Sequence, residues 1–170
     1  MATKIENVDF QRMIDTAAAF FLAAERCVPP LKFGVYPEHS VSAPTIVNYA
    51  LSVEIVLKIL LRHYECDLPK GTNGHSIKKL SEALPENKRG FLEYEDEAIN
   101  VLDTSFVDWR YPYEYDFLVI SPKGFRSLFC KCYNEIRKLK PDLMCIYEKN
   151  WGQFEPDYSW AWHEEEIRGL

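Results

Sequence analysis

Glycine is scarce in this sequence, 7 in 170 residues, and none of it falls into a GxGxxG, GxxxxGK[ST] or GxSxG pattern. The usual sequence support for a nucleotide-binding loop or a hydrolase nucleophile is therefore missing. Lys70-Gly71-Thr72-Asn73-Gly74 is only a turn, since it has neither the preceding strand nor the full phosphate-loop spacing. Histidine is also sparse, with 4 residues, and there is no HExxH and no paired CxxC. Cys130 and Cys132 on a helix would point about 200° apart, too far to share one ion easily. Neither a metal nor another cofactor is expected. The 5 cysteines are an odd number in a chain long enough to build its own core, so reduced thiols in a cytoplasmic setting are expected. The N-terminal MATKIENVDF has no long apolar stretch of the secretory kind. The most apolar run, 46–61, is broken by Asn48, Glu54 and Lys58, which argues against a membrane span. Basic residues are outnumbered, 20 against 26 acidic, for a net charge of -6. No basic patch for neutralising phosphates stands out from that balance.

What is present is apolar and aromatic: 47% hydrophobic residues, with 10 Phe, 10 Tyr and 4 Trp. This is the composition of one globular domain with a sizeable core. From about Val8 to Cys27, Phe10, Met13, Ile14, Ala17, Phe21 and Ala24 recur at helical spacing until Pro29-Pro30 ends the pattern. A loop is expected to follow, as far as Val41. A second helix is expected from Ser42 to about Cys66. It is apolar on nearly every side and therefore belongs at the centre of a bundle or between the core and a partner chain. After the turn-rich 67–74, a short helix is expected over Ser76–Ala83. A longer one follows from about Lys88 to Trp109, with Phe91, Tyr94, Ala98, Val101, Leu102 and Phe106 inward and Glu93, Glu95, Asp96 and Glu97 outward. Pro112 biases Tyr111 to an extended conformation, and a short extended piece is expected there. Ser121-Pro122 reopens a helix that runs to Lys140 before Pro141. The fold class expected is all-α: a bundle of about five helices over residues 1–140, with an irregular aromatic-rich extension over 141–170. That extension is expected to drape over the bundle or over a neighbouring subunit.

Three polar groups stand out against this background. Glu54 and Lys58 are spaced i,i+4 on the most apolar helix, so they either line a narrow exposed strip or are partly buried and paired. A structural ion pair and a polar site are equally consistent with that spacing, and Asn48 lies near the start of the same helix. His75 follows KGTNG and precedes a helix; it reads as a helix-start residue or as a general base or phosphate contact. Asp108-Trp109-Arg110-Tyr111-Pro112-Tyr113-Glu114-Tyr115 is the densest polar and aromatic cluster. Arg110 there would clamp a carboxylate or phosphate, with Tyr111, Tyr113 and Glu114 as further ligand contacts. The plainer account is a rigid turn whose Arg110 pairs with Glu54.

Taken together, NYALSVEIVLKILL (with Asn48, Ala50, Glu54 and Lys58), Gly74-His75-Ser76-Ile77-Lys78-Lys79-Leu80 and Phe106-Val107-Asp108-Trp109-Arg110-Tyr111-Pro112-Tyr113-Glu114 resemble the HEPN domains of prokaryotes over about residues 8–140. The resemblance implies a helical bundle that commonly forms homodimers and works in toxin–antitoxin, phage-defence or stress systems, often beside a nucleotidyltransferase. Active members are metal-independent ribonucleases with an Arg followed a few positions later by His. Here Arg110, Arg126 and Arg137 have no His at that distance. The expected function is a HEPN-like non-catalytic or regulatory interaction or ligand-binding module. The alternative is a divergent metal-independent endoribonuclease in which Arg110 binds the scissile phosphate, His75 handles the proton and Lys58 stabilises charge. RNA is expected as a partner only in that alternative.

Overall fold

A computed structural model describes residues 9–27, 42–105, 122–146 and 148. Among these the chain is an all-α bundle of five helices with no strand: α1 (Phe10–Cys27), α2 (Ser42–His63), α3 (Ile77–Glu82), α4 (Asp96–Asp103) and α5 (Pro122–Leu139). Short 3-10 turns at Gly71–His75, Glu86–Lys88 and Gly90–Leu92 join the middle helices.

α2 is the axis. Ile46, Tyr49, Ala50, Val53, Val56, Leu57, Ile59, Leu60 and Leu61 are all buried, as expected for a helix apolar around its circumference. By length and composition Ala43–His63 would be apolar enough to cross a bilayer, with a mean hydropathy of 1.5; 67% of that window is buried inside the bundle. α1 lies along it in the most extensive helix contact, and α5 covers another side. Phe21 of α1 stacks on Phe129 of α5 at 4.3 Å and meets Tyr49 of α2 edge-on at 5.8 Å. Each such buried ring contributes about 1.5–3 kcal/mol of burial energy, so this three-ring contact is a main fastening of α1, α2 and α5.

The sequence periodicity misreads one element. Over 88–105, the described part of the helix expected over 88–109, the chain has two 3-10 turns, then α4 over Asp96–Asp103, a turn at Thr104 and helical Ser105. Arg89 to Glu95 winds through tight i→i+3 turns, and Tyr94 takes φ +70°. The break reverses two faces. Tyr94, expected inside, is 88% exposed. Glu95, expected outside, is buried, with Lys131 Nζ at 2.7 Å and the Ser127 hydroxyl donating to it at 2.6 Å.

The start of the expected extension packs on the bundle. Gln11 Nε2 donates to the Met144 carbonyl at 2.7 Å, Ile146 N–H donates to Asp15 at 2.6 Å, and Cys145 is fully buried. Tyr133 donates its hydroxyl proton to Glu148. Residue 147 and residues 149–170 lie outside the described residues, as do the expected loop 28–41 and the segment 106–121.

Candidate functional site

The backbone around Gly74 sets where His75 stands. Gly71 is at φ +62°, a conformation glycine adopts without steric cost, and opens the 3-10 turn. A Cβ on Gly74 would lie 2.8 Å from the Pro69 carbonyl oxygen, so only glycine fits beside that backbone. Ser76 then caps α3: its hydroxyl oxygen accepts from Lys79 N–H at 3.1 Å and its proton goes to Asp103 Oδ1 at 2.6 Å. The same Asp103 oxygen accepts from Lys78 N–H at 2.9 Å. The end of α4 is thereby tied to the residues that follow His75. His75 itself closes the 3-10 turn, and the helix cap is Ser76.

Glu54, Lys58 and His75 come together. Lys58 Nζ is 2.5 Å and His75 Nδ1 3.1 Å from one and the same oxygen, Glu54 Oε1. The second oxygen, Oε2, is buried with no hydrogen-bond partner among the described residues. Exposure grades outward through the cluster: 7% for the Glu54 side chain, 22% for Lys58 and 69% for His75. An ionised carboxylate only accepts, so it selects the imidazole with its proton on Nδ1 and leaves Nε2 as the free ring nitrogen. This carboxylate–imidazole pair can orient a base or hold a hydrogen-bonding contact at the surface. Asn48 does not join it, because its amide donates back to the Pro44 carbonyl at 2.7 Å. Arg110, Tyr111, Tyr113 and Glu114 lie outside the described residues, and with them the pairing of Arg110 with Glu54.

A second buried polar group has no counterpart in the sequence reading. Glu25 of α1, Tyr49 of α2 and Arg126 of α5 meet in the core, where the Arg126 Nε–H donates to Glu25 Oε1 at 2.6 Å and the Tyr49 hydroxyl donates to that same oxygen. The side chains of Glu25 and Arg126 are 0% and 7% exposed. Burial raises the Tyr49 pKa well above the usual phenol range, and the adjacent Glu25 charge adds to it. Burial also works against the Arg126 charge, but the Glu25 hydrogen bond and the contact with Tyr49 outweigh it and raise the guanidinium pKa. The available signal was positional. Glu25 follows Phe21 by four and Ala18 by seven, which puts it on the apolar stripe of α1.

Among the described residues, no three His, Cys, Asp or Glu side chains gather into a metal-holding group. Two surface clefts flank Tyr94, and neither is lined by Glu54, Lys58 or His75. Comparison with protein-family models, with curated proteins and with solved structures finds no match for the chain.

Proposed function

We propose that this chain is a HEPN-like, non-catalytic module that binds a ligand or a partner protein through the surface around His75, acts as a homodimer, and serves a cytoplasmic defence or stress system of the toxin–antitoxin kind. A nucleotidyltransferase-type protein is the partner the resemblance favours. The observation that carries the non-catalytic reading is the internal neutralisation of the cluster. Lys58 and His75 both spend their contact on Glu54 Oε1, as in a recognition surface whose charges are already paired. The lack of a His at the usual distance after any candidate Arg supports the same reading.

The exposed imidazole supports a second reading, a divergent metal-independent endoribonuclease. His75 Nε2 would take the 2′-hydroxyl proton, the 2′-oxygen would attack phosphorus, and the 5′-oxygen would leave with a proton returned by the imidazolium. Arg110 and Lys58 would stabilise the charge on the phosphoryl oxygens. Asp103, in the last described stretch before Arg110, accepts from the hydroxyl of Ser76, directly after His75, and from Lys78 N–H, three residues after it. A small set of experiments separates the readings. Light scattering over a wide concentration range should show a dimer, and a broad RNA panel incubated in EDTA should remain intact. EDTA-resistant cleavage that disappears in both His75→Ala and Arg110→Ala would replace the first reading with the second. A strict monomer would remove the dimer.

A further inference from the structure

We propose that His75 is a phosphoryl acceptor, whose Nε2 takes a phosphoryl group from a phosphoramidate donor, an N–P bonded group such as the phosphohistidine of another protein. The proposal deepens the reading of the surface around His75 as a binding surface, and rests on it.

The burial of this pair is lopsided. In the core pair Glu25–Arg126 both side chains are buried, whereas Glu54 is buried and the His75 imidazole that it holds is 69% exposed. The carboxylate oxygen 3.1 Å from Nδ1 fixes the tautomer and leaves Nε2, with the nucleophilic lone pair, turned away from that contact. The backbone beneath the ring is equally fixed. Gly71 takes φ +62°, Gly74 lies against the Pro69 carbonyl, and Ser76 and Lys78 both donate to Asp103. A side chain held by a carboxylate on a pinned backbone is oriented as a reacting group must be. His63 offers the contrast: it is half-buried, its ring meets Tyr64 edge-on at 5.4 Å, and no carboxylate holds it among the described residues.

Charge suits a phosphoryl group. Lys58 offsets Glu54, so an anionic donor meets a cluster with no net negative charge. Lys58 spends one N–H on Glu54, and an ammonium has two more for phosphoryl oxygens. Ammonium and imidazole share a single carboxylate oxygen and are therefore near neighbours. In the step itself, the Nε2 lone pair forms the new N–P bond as the donor's P–N bond breaks. The donor nitrogen, protonated in zwitterionic phosphoramidate, leaves as the free amine with the bonding pair. The positive charge passes to the imidazole, whose Nδ1 proton stays in the hydrogen bond to Glu54. One N–P bond replaces another, so no further energy source is needed. The product carries a phosphoryl dianion, which turns a neutral surface anionic and changes the partner it suits.

The test incubates the full chain with phosphoramidate and follows labelling by peptide mass spectrometry and by phosphorus NMR, which separates the Nε2 and Nδ1 isomers. The expected product is His75 phosphorylated on Nε2, lost in acid and kept in alkali, and formed many times faster than any label on His63. Glu54→Gln should slow it about tenfold, the low end of the roughly 10–100-fold cost of losing the carboxylate behind a metal-bound imidazole. No label at His75, label on its Nδ1, or a rate no greater than that of His63 overturns the proposal, and each is read on the wild type whatever Glu54→Gln does to the fold. A folded Glu54→Gln chain labelled at the wild-type rate overturns it as well. Light scattering reports on the binding module separately: a dimer that takes no phosphoryl group ends this proposal alone, and a labelled strict monomer removes only the dimer.

Discussion

Replacing Arg126 by methionine should cost this fold a large part of its stability. The substitution keeps much of the aliphatic volume but leaves Glu25, whose side chain is 0% exposed, with the Tyr49 hydroxyl as its remaining partner in the triad. Removing one member of a buried ion pair strands an uncompensated charge and costs about 3–5 kcal/mol. Total stabilities of domains are about 5–15 kcal/mol, so the loss is severe, and at roughly 2–4 °C per kcal/mol for a chain of this length it lowers Tm by about 6–20 °C. The double variant Glu25→Leu with Arg126→Met removes both charges and should recover most of that loss, because the desolvation cost disappears together with the attraction. Urea unfolding at neutral pH of the wild type, both single variants and the double variant gives the coupling energy directly. A cost below about 1 kcal/mol for Arg126→Met, or strictly additive singles, would refute the buried pair as described.

The remaining expectations concern the turns, the phenols and the thiols. Gly74→Ala should displace the Pro69 carbonyl and with it His75, seen as a change in the His75 imidazole resonances in an NMR titration while the far-ultraviolet helix signal is kept; unchanged resonances would contradict the close approach. Tyr94→Gly should raise stability by about 0.5–1 kcal/mol, since relief of the positive φ exceeds the entropy glycine adds to the unfolded chain; a loss in urea unfolding would count against the strain. Burial raises the Tyr49, Tyr133 and Cys132 pKa values in the folded state. Their stabilising contribution is thus complete below the unfolded values of about 8.5 for Cys and 10 for Tyr, and is lost progressively as pH rises past them. Stability should accordingly fall on the alkaline side, and Tyr49→Phe should flatten that limb in a series of unfolding curves from pH 8 to 11. In native alkylation, Cys132 and Cys145, both fully buried, should react far more slowly than Cys27, Cys66 and Cys130; equal labelling of all five by mass spectrometry would contradict the packing.

Periodicity alone determined the fold class, the central place of α2, and the stripes of α1 and α5, because an apolar face of period 3.6 has few ways to leave water. It also marked Glu54 and Lys58, since two charges on so apolar a helix need an explanation. Their meeting with His75 was not legible, because that contact spans 21 residues and depends on how the turn before α3 is folded. The same holds for the pairing of Glu25 with Arg126 across 101 residues: the stripe of α1 marks Glu25 for the interior, but its partner is set only when α1, α2 and α5 close around it. Residues 88–95 are the clearest case of tertiary decision. Their spacing fits a helix, yet Lys131 of α5 fixes Glu95 at 2.7 Å and takes the Glu93 carbonyl at 3.1 Å. Those contacts hold the segment in tight turns, bury the carboxylate and send Tyr94 outward. Local pattern selects which residues seek the interior, but the partner across the bundle settles which way a short, weakly cooperative segment turns.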